Sequence, residues 1–277
     1  MHNPASGSGS GPSGDELAAM LREEGAAEVV CLPIDEGLAA IGEGVDRAVL
    51  ASGDGGVGPA AEGAGAAGVP LAVIPSGTAN DFARRMRLPD DPRQAARLAV
   101  RGEHRRRLDL ARMGDHPFVN VATAGMAVAA ARRAGPVKRV LGPFAYFVGA
   151  GVTAVVGKPL RCAVDVDDRR VFQGRAWQVM VACSGSFGAG SVIDEAVPDD
   201  GLLDVVVIEA GNRLRLVQYA NGLREGRITG QPGVLSTRGT RVSLGVPDGA
   251  ELNVDGEVIP ARMPITVAPG HFQVVVP

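Results

Sequence analysis

Residues 49–86 read VLASGDGGVGPAAEGAGAAGVPLAVIPSGTANDFARRM and contain two glycine-bearing turns, each preceded by a short apolar run. The first run spans residues 47–51 and the second spans residues 69–74. Apolar runs of this length, bounded by glycine or proline, are typical of buried parallel strands. A strand that ends in glycines leaves backbone N–H groups accessible and lets a phosphate come close. The stretch therefore predicts a nucleotide-phosphate site built from both turns.

The first turn contains an acidic residue, Asp54, within the sequence Ser52-Gly53-Asp54-Gly55-Gly56. A carboxylate cannot hold a phosphate directly because both groups are negatively charged. Asp54 is therefore expected to handle a metal ion, a water molecule or the proton of a hydroxyl group.

The composition of the whole chain describes an ordinary globular protein. Its 277 residues suit one large or two medium domains, with 45% hydrophobic and 21% charged residues. A formal net charge of −3 argues against nucleic acid as a partner. Cys31, Cys162 and Cys183 form no metal-binding or disulfide pattern, and the first residues carry no secretory signal. These features predict a cytoplasmic protein.

An uncharged segment at residues 140–157, VLGPFAYFVGAGVTAVVG, challenges this interpretation. A transmembrane helix needs about 20 predominantly apolar residues, whereas this segment is shorter and is interrupted by Pro143 and several glycines. We expect it to form a buried helix that lines a cleft, or a surface that touches lipid.

The first part of the chain alternates between strand and helix patterns, which is typical of a parallel sheet with helices on its faces. Ligands of such sheets bind at the carboxyl ends of the strands, where both glycine turns lie. No apolar strand precedes Asn3, so the first strand of this domain is expected to be missing. Strands are predicted at residues 28–32, 47–51 and 69–74, and helices at residues 35–43, 59–68, from about 80, and 92–102.

The pattern changes after residue 108 to consecutive strands with turns between them, as in the alternating residues 176–182. Helices are expected there only at about residues 124–157 and 212–225. The predicted fold is therefore an α/β N-terminal domain with a parallel sheet, residues 1–108, followed by a β-rich domain, residues 109–277, built as an antiparallel sandwich.

A basic run, His104-Arg105-Arg106-Arg107, lies next to this predicted boundary. One interpretation is a solvated helix end, which is the usual role of a charge run. The other is a patch that attracts the anionic surface of a membrane.

Three later clusters could carry chemistry. A glycine-rich loop at residues 184–190 is weak evidence alone, because such loops also simply turn the chain. Three aspartates at residues 199–204 form turns or, with nearby carbonyls, a site for a hard cation. Asp255-Gly256 is typical of a tight hairpin turn, and Glu257 after it could act as a general base.

In their order and approximate spacing, these motifs resemble the diacylglycerol-kinase-type lipid kinases, specifically the soluble bacterial branch that is also similar to sphingosine kinases. Single motifs are unspecific, but the run PSGTANDFAR at residues 75–84 is highly specific. The resemblance covers nearly the full length and is carried by residues 3–7 (NPASG), 53–55 (GDG), 74–84, 200–204 (DGLLD) and 255–257 (DGE).

The resemblance implies a two-domain kinase that uses ATP and Mg²⁺ to phosphorylate a hydroxyl of a diacylglycerol-like or long-chain lipid, as in phospholipid biosynthesis. Glu257 would be the catalytic base, assisted by Asp54, and the segment at residues 140–157 would help to form the lipid cleft. Asp200 would bind a structural Mg²⁺ with the carbonyls of Val197 and Leu202. The residues implied at ATP are Asn3, Gly53, Asp54, Gly55, Gly56, Gly77, Thr78 and Asn80. Peripheral contact with a membrane and a homodimer are further expectations.

The first turn departs from the family pattern. The family continues Gly-Gly-Asp-Gly with Thr, a hydrophobic residue, Asn and Glu, whereas this chain has Ser52 before Gly-Asp-Gly and residues 56–59 read GVGP. The lost side chains leave two alternatives open: a catalytically impaired homologue that binds nucleotide or lipid, and a protein similar to NAD kinases, which share the Gly-Asp-Gly turn. If this loop limits catalysis, Gly56→Thr is expected to raise activity.

Overall fold

The computed structural model describes residues 1–2, 12–42, 44–126, 128, 158–188 and 190–277. The chain divides into two compact units, one formed by Met1–Leu110 with Pro269–Pro277 and the other by Ala111–Ala268. The sequence-based division at residue 108 differs in assigning residues 269–277 to the second part. They belong with the first unit because Val274 pairs in parallel with Leu71.

The first unit is an α/β unit around short parallel strands. Its helices are α1 (Gly14–Glu23), α2 (Ile34–Ala39), α3 (Asp54–Ala67), α4 (Asp81–Arg85) and α5 (Pro92–Arg101), and its first strands are β1 (Ala48–Ser52) and β2 (Leu71–Pro75). β1 and β2 pair in parallel from Ala48 opposite Leu71 to Ser52 opposite Pro75, which confirms the predicted parallel sheet.

Helices α1 and α5 supply much of the apolar core of this unit. α1 begins with a capping box between Ser13 and Glu16, and α5 begins at Pro92 after the N-cap Asp91. Their buried faces pack with the strands in a cluster of Leu17, Leu21, Ala51, Ala72, Ile74, Ala95, Ala96, Ala99 and Val275.

The predicted strand at residues 28–32 is wrong, because those residues have no strand conformation. A strand needs a hydrogen-bonded neighbour along its length, and among the described residues only His2 forms bridges here, to Pro33 and to Ala51. A cavity of about 890 Å³, lined in part by Leu21, Val29 and Val49, lies beside these residues. Neither glycine turn contributes to its lining, so this cavity is not the predicted phosphate site.

The second unit is built from antiparallel strands. The chain enters it along β3 (Arg105–Met113), and then follow β4 (His116–Phe118), β5 (Val121–Gly125), β6 (Leu160–Val166), β7 (Arg169–Ala182), β8 (Ser186–Phe187), β9 (Ser191–Val192), β10 (Leu203–Glu209), α6 (Arg215–Glu225), β11 (Val234–Gly239), β12 (Arg241–Gly245), β13 (Glu251–Val254), β14 (Glu257–Pro260) and β15 (Ile265–Val275), which returns to the first unit.

Strand β7 organises this unit because it pairs antiparallel with three strands: β6 pairs with residues 169–176, and β5 and β10 both pair within residues 176–182. Along residues 179–182 its side chains alternate between two separate apolar clusters: Val179 and Val181 join one, and Met180 and Ala182 join the other. The period of two predicted for residues 176–182 holds over residues 179–182, whereas Ala176 and Trp177 are out of that phase, where the pairing with β10 shifts register. The predicted β-rich second part is confirmed.

The predictions for the basic run, the cysteines and the apolar segments can also be compared with the structure. The basic run at residues 104–107 is not a helix end, because β3 begins at Arg105. All three cysteines are free thiols. Among the described residues, no helix combines the length and the apolar character that crossing a bilayer requires. Asn3 and the segment at residues 140–157 lie outside the described residues, as does most of the helix expected at residues 124–157.

Candidate phosphate-binding and catalytic sites

The first glycine turn is the N-terminus of a helix. β1 ends at Ser52, Gly53 is the N-cap, and α3 begins at Asp54, so Asp54, Gly55 and Gly56 form its first turn. The first N–H groups of a helix have no acceptor within the helix, and its N-terminal end carries partial positive charge. Without side chains at Gly53, Gly55 and Gly56, an anion can approach these donors closely.

The second turn is closed by the side chain of Asn80. Asn80 adopts the left-handed conformation with φ 51°, its Oδ1 accepts a hydrogen bond from Gly77 N at 2.9 Å, and its Nδ2 donates to Gly77 O at 3.0 Å. Both ends of the amide are therefore engaged in shaping the turn. Thr78, at the tip of the turn, is exposed and available to a ligand.

The structure brings the two turns together. Oδ1 of Asp54 accepts a hydrogen bond from Phe82 N at 2.9 Å and so caps the start of α4, which follows the second turn. The backbones also touch, since a Cβ added at Gly77 would lie 2.5 Å from Gly53 Cα. The two turns are separate in the sequence, but in the structure Asp54, Gly53 and Gly77 form one continuous surface.

An ion pair that the sequence did not reveal supports the second turn. Arg84 Nη1 lies 3.0 Å from Oδ1 of the buried Asp81, and Arg84 Nη2 donates to Ala79 O at 2.8 Å. Both residues stand in the specific run at residues 75–84, but their spacing of three on a helix was the only signal of a contact.

In the second unit, Asp255 does more than form the hairpin turn predicted for it. Its carboxylate accepts hydrogen bonds from three successive backbone N–H groups, those of Val119 (2.9 Å), Asn120 (3.1 Å) and Val121 (3.0 Å). Asp255 itself has φ 45°. The turn that precedes Glu257 is therefore fixed to the chain just before β5.

Glu257 is the first residue of β14, on the exposed side of this hairpin. Its backbone pairs with Val254 of β13, and its side chain is exposed to solvent. Asn253 completes the turn because its Oδ1 accepts from Gly256 N at 3.0 Å. A carboxylate held by a rigid turn and open to solvent can accept a proton from a hydroxyl group that reaches it.

Two of the three predicted aspartates, Asp200 and Asp204, form ion pairs with Arg238. Arg238 Nε lies 2.6 Å from Asp204 Oδ1, Arg238 Nη1 lies 3.4 Å from Asp200 Oδ2, and Arg238 also donates to the carbonyl of Glu195. Oδ1 of Asp200 accepts from Leu202 N at 3.1 Å. This turn brings the Asp200 carboxylate and the backbone of Leu202 close together.

The donors expected for Mg²⁺ are all oxygen atoms, which suits a hard cation. Within the residues that the structure describes, no group of three or more His, Cys, Asp or Glu side chains could hold a metal ion. A site at Asp200 would therefore depend on backbone carbonyls and water for its remaining ligands. The backbone carbonyl oxygens of Val197 and Leu202 are of the type that binds a hard cation, and Val197 is partly exposed.

Asp204 is the buried member of this cluster. Burial raises the pKa of its carboxyl above the ordinary value of 3.8, against the opposing effect of Arg238. Its Oδ2 is buried and has no hydrogen-bond partner in the part of the chain that the structure describes. Because the folded state holds this proton more tightly than the unfolded state, Asp204 makes the unfolding free energy fall as pH rises above 3.8.

Arg238→Gln is expected to lower the unfolding free energy by about 2–3 kcal/mol at neutral pH, because it leaves the Asp204 carboxylate buried without its counter-ion. The loss should shrink in acid as Asp204 becomes protonated, which urea titrations at both pH values will measure. Arg170→Gln is the matched control, since its partner Asp165 is 30% exposed whereas Asp204 is 4% exposed, and it should cost less than about 1 kcal/mol. An equal loss at both pH values would contradict this account of the pair.

Comparison with known proteins defines the class. Residues 1–113 match the diacylglycerol kinase catalytic domain, and residues 120–276 match the YegS C-terminal NAD kinase beta sandwich-like domain. The chain belongs to the diacylglycerol kinase family in which these two domains follow one another.

Individual relatives agree with this assignment. A diacylglycerol kinase of Staphylococcus saprophyticus is 30% identical over 189 residues, which are 68% of this chain and 61% of the relative. One of Staphylococcus epidermidis is 29% identical over the same share of this chain and 59% of its own length. The match thus spans about three fifths of these relatives.

A solved structure shows the same fold. The crystal structure of a diacylglycerol kinase from Bacillus anthracis aligns with all of this chain and 95% of its own, with a TM-score of 0.78 and 22% identity. Both units of the chain therefore have counterparts in one protein of known structure.

Proposed function

We propose that this protein is a lipid kinase that uses ATP and Mg²⁺ to phosphorylate a hydroxyl of a diacylglycerol-like or long-chain lipid. The observation that carries the proposal is the joining of the two glycine turns through Asp54 and Phe82, within a chain of the diacylglycerol kinase family. That arrangement leaves the N-terminus of α3 open beside Gly77 and Thr78, where phosphates would bind.

The residues proposed at ATP have different tasks. The N–H groups of the first turn of α3 would donate to phosphate oxygens, and the exposed Thr78 would contact the nucleotide. Gly53 and Gly77 keep the two turns in contact, Asn80 fixes the shape of the second turn, and Asp54 caps α4. Asn3 is proposed near the phosphates from the family resemblance alone.

Glu257 is proposed as the general base. Its carboxylate would accept the proton of the lipid hydroxyl while that oxygen attacks the γ-phosphorus, and the bond to the bridging oxygen of ADP would break. Asp255 supports this role because its three backbone hydrogen bonds fix the turn before Glu257. A structural Mg²⁺ would be held at Asp200 with the carbonyls of Val197 and Leu202, and the transfer itself would need charge neutralisation by Mg²⁺.

A lipid substrate would bring the protein into contact with a membrane. We propose peripheral contact with a membrane surface from the cytoplasm, and a homodimer as the assembly. Their tests are flotation with lipid vesicles and light scattering.

A panel assay tests the activity. Purified protein is incubated with γ-³²P-ATP and Mg²⁺, with diacylglycerol, a long-chain amino alcohol, or NAD as the acceptor. Label in a lipid is the expected result. Label in NAD would favour an NAD kinase, and ATP binding without transfer to any acceptor would favour the impaired homologue suggested by residues 56–59.

A further inference from the structure

Two apolar side chains at the start of helix α6 point into solvent. Leu214 is the N-cap of the helix and is 81% exposed, and Val217 is 68% exposed. Residues three apart lie on the same face of a helix, so these two side chains form one apolar patch. Single exposed apolar residues are ordinary on protein surfaces. Among the residues that the structure describes, however, no other two large exposed hydrophobic residues stand this close in the sequence.

The opposite face of α6 is fixed to the second unit. Tyr219 and Gly222 are buried, and the Tyr219 hydroxyl donates a hydrogen bond to Pro232 O at 2.8 Å. The side chain of Gln231 packs directly against Gly222. The helix cannot turn its apolar patch inward without breaking these contacts. The patch is therefore a constant feature of the surface.

Positive charge surrounds the patch. Arg213 and Arg215 are exposed and stand on either side of Leu214 in the sequence. Residues 210–227 contain four arginines and one glutamate, in a chain whose formal net charge is −3. That glutamate, Glu225, forms an ion pair with Arg227. The segment is thus a positively charged region of a protein that is acidic as a whole.

One of these arginines is held over a buried aromatic ring. The guanidinium carbon of Arg213 lies 5.2 Å from the centroid of the Trp177 ring, which is the geometry of a cation–π contact. Trp177 is 4% exposed, and it is the only tryptophan of the chain. Its fluorescence can therefore report on what comes close to the patch.

Apolar side chains set among arginines match the chemistry of an anionic bilayer surface. The apolar groups can leave water by entering the boundary between headgroups and acyl chains, while the guanidinium groups bind the phosphate oxygens of anionic lipids. A second copy of this chain fits the patch less well. A two-fold contact through it would bring the same arginines of both copies together, and like charges repel.

We propose that Leu214 and Val217, with Arg213 and Arg215, form the surface through which this protein docks on an anionic lipid bilayer. The inference rests on the proposed function only in so far as a lipid substrate gives the protein a reason to be at a membrane. It adds the part of the protein that makes the contact. Its test requires neither ATP nor turnover.

Co-sedimentation with lipid vesicles tests the docking surface. The parent protein should bind vesicles of phosphatidylcholine mixed with phosphatidylglycerol much more tightly than vesicles of phosphatidylcholine alone, and added salt should weaken this binding. The double variant Leu214→Ser/Val217→Ser should bind the mixed vesicles at least about tenfold more weakly. Val30→Ser is the matched control, because Val30 is also 68% exposed but lies in the first unit, and it should bind as the parent does.

Two further measurements make the result specific. Brominated phosphatidylcholine in the mixed vesicles should quench Trp177 fluorescence in the parent and not in the double variant. The urea unfolding midpoint of the double variant should equal that of the parent because both side chains are exposed. Parental vesicle affinity in the double variant would overturn the proposal. So would a smaller assembly in light scattering with unchanged vesicle binding, which would instead make the patch a contact between copies.

The kinase activity is measured separately, on diacylglycerol dissolved in detergent micelles. The double variant should phosphorylate this substrate at the rate of the parent, because no bilayer is present. If the parent phosphorylates no lipid, the proposed function fails while the vesicle result still decides the docking surface. If the parent is active but binds no anionic vesicles, the docking surface fails alone.

Discussion

Gly77→Ala is expected to weaken ATP binding at least tenfold and to lower the unfolding free energy by about 1–3 kcal/mol. The added Cβ would lie 2.5 Å from Gly53 Cα and 2.8 Å from Asn80 Oδ1. The first of these atoms is backbone and cannot rotate away, so the two turns must separate. Separation also strains the hydrogen bond from Phe82 N to Asp54, which depends on the same approach.

Titration calorimetry and urea unfolding of the same preparations measure both effects. Gly42→Ala is the matched control, since a Cβ at Gly42 meets no atom within 4 Å among the described residues and its backbone is not left-handed. That variant should behave as the parent does. Unchanged ATP affinity in Gly77→Ala would show that the approach of the two turns does not matter for nucleotide binding.

Glu257→Gln is expected to reduce the rate of phosphoryl transfer by about a thousandfold, in line with the loss of a general base. Glutamine keeps the size and the hydrogen-bonding oxygen of the side chain but cannot accept the proton. Glu257 is exposed at the start of β14, so the fold should be unaffected. Single-turnover kinetics at saturating lipid, together with an ATP titration, separate chemistry from binding.

The ATP dissociation constant of Glu257→Gln should equal that of the parent. Glu251→Gln is the control, because Glu251 lies on the same hairpin and is equally a carboxylate, yet has no proposed part in the reaction. Loss of ATP affinity together with turnover in Glu257→Gln would contradict the role of base. A rate within a few fold of the parent would show that another group accepts the proton.

The position of the two glycine turns could be predicted from the sequence. Parallel strands that pair in register end at the same edge of their sheet, so the turns after β1 and β2 had to be neighbours. The apolar runs and their glycines are local signals, and they predicted the ends of both strands to within one or two residues of the observed ends. The β-rich second part followed in the same way from alternation with a period of two.

Contacts made across the sequence could not be predicted. The sequence around Asp54 does not indicate that its carboxylate accepts a hydrogen bond from Phe82 N. Likewise, the sequence around Asp255 does not indicate that its carboxylate accepts hydrogen bonds from the backbone N–H groups of residues 119–121. Both carboxylates stand in glycine turns, and the sequence predicted a local turn role for Asp255 and contact with a metal ion, a water molecule or a hydroxyl proton for Asp54. Only the three-dimensional approach of distant segments assigns them their partners.

The strand expected at residues 28–32 failed for a related reason. Its sequence, EVVCL, has the residues of a buried strand, but strand conformation depends on a neighbouring ladder of hydrogen bonds. In the described residues that ladder is limited to the single bridge from His2 to Pro33. Propensity alone therefore could not decide the conformation of this segment.

The central claim is that this protein moves the γ-phosphate of ATP onto a lipid hydroxyl, and tracing the atoms of that reaction tests it most directly. Diacylglycerol labelled with oxygen-18 in its free hydroxyl is incubated with the protein, ATP and Mg²⁺, and the products are analysed by mass spectrometry. The account predicts a phosphorylated lipid that retains the label in its carbon–oxygen–phosphorus bridge. Unmodified lipid, with phosphate appearing only in inorganic form or on NAD, would contradict it.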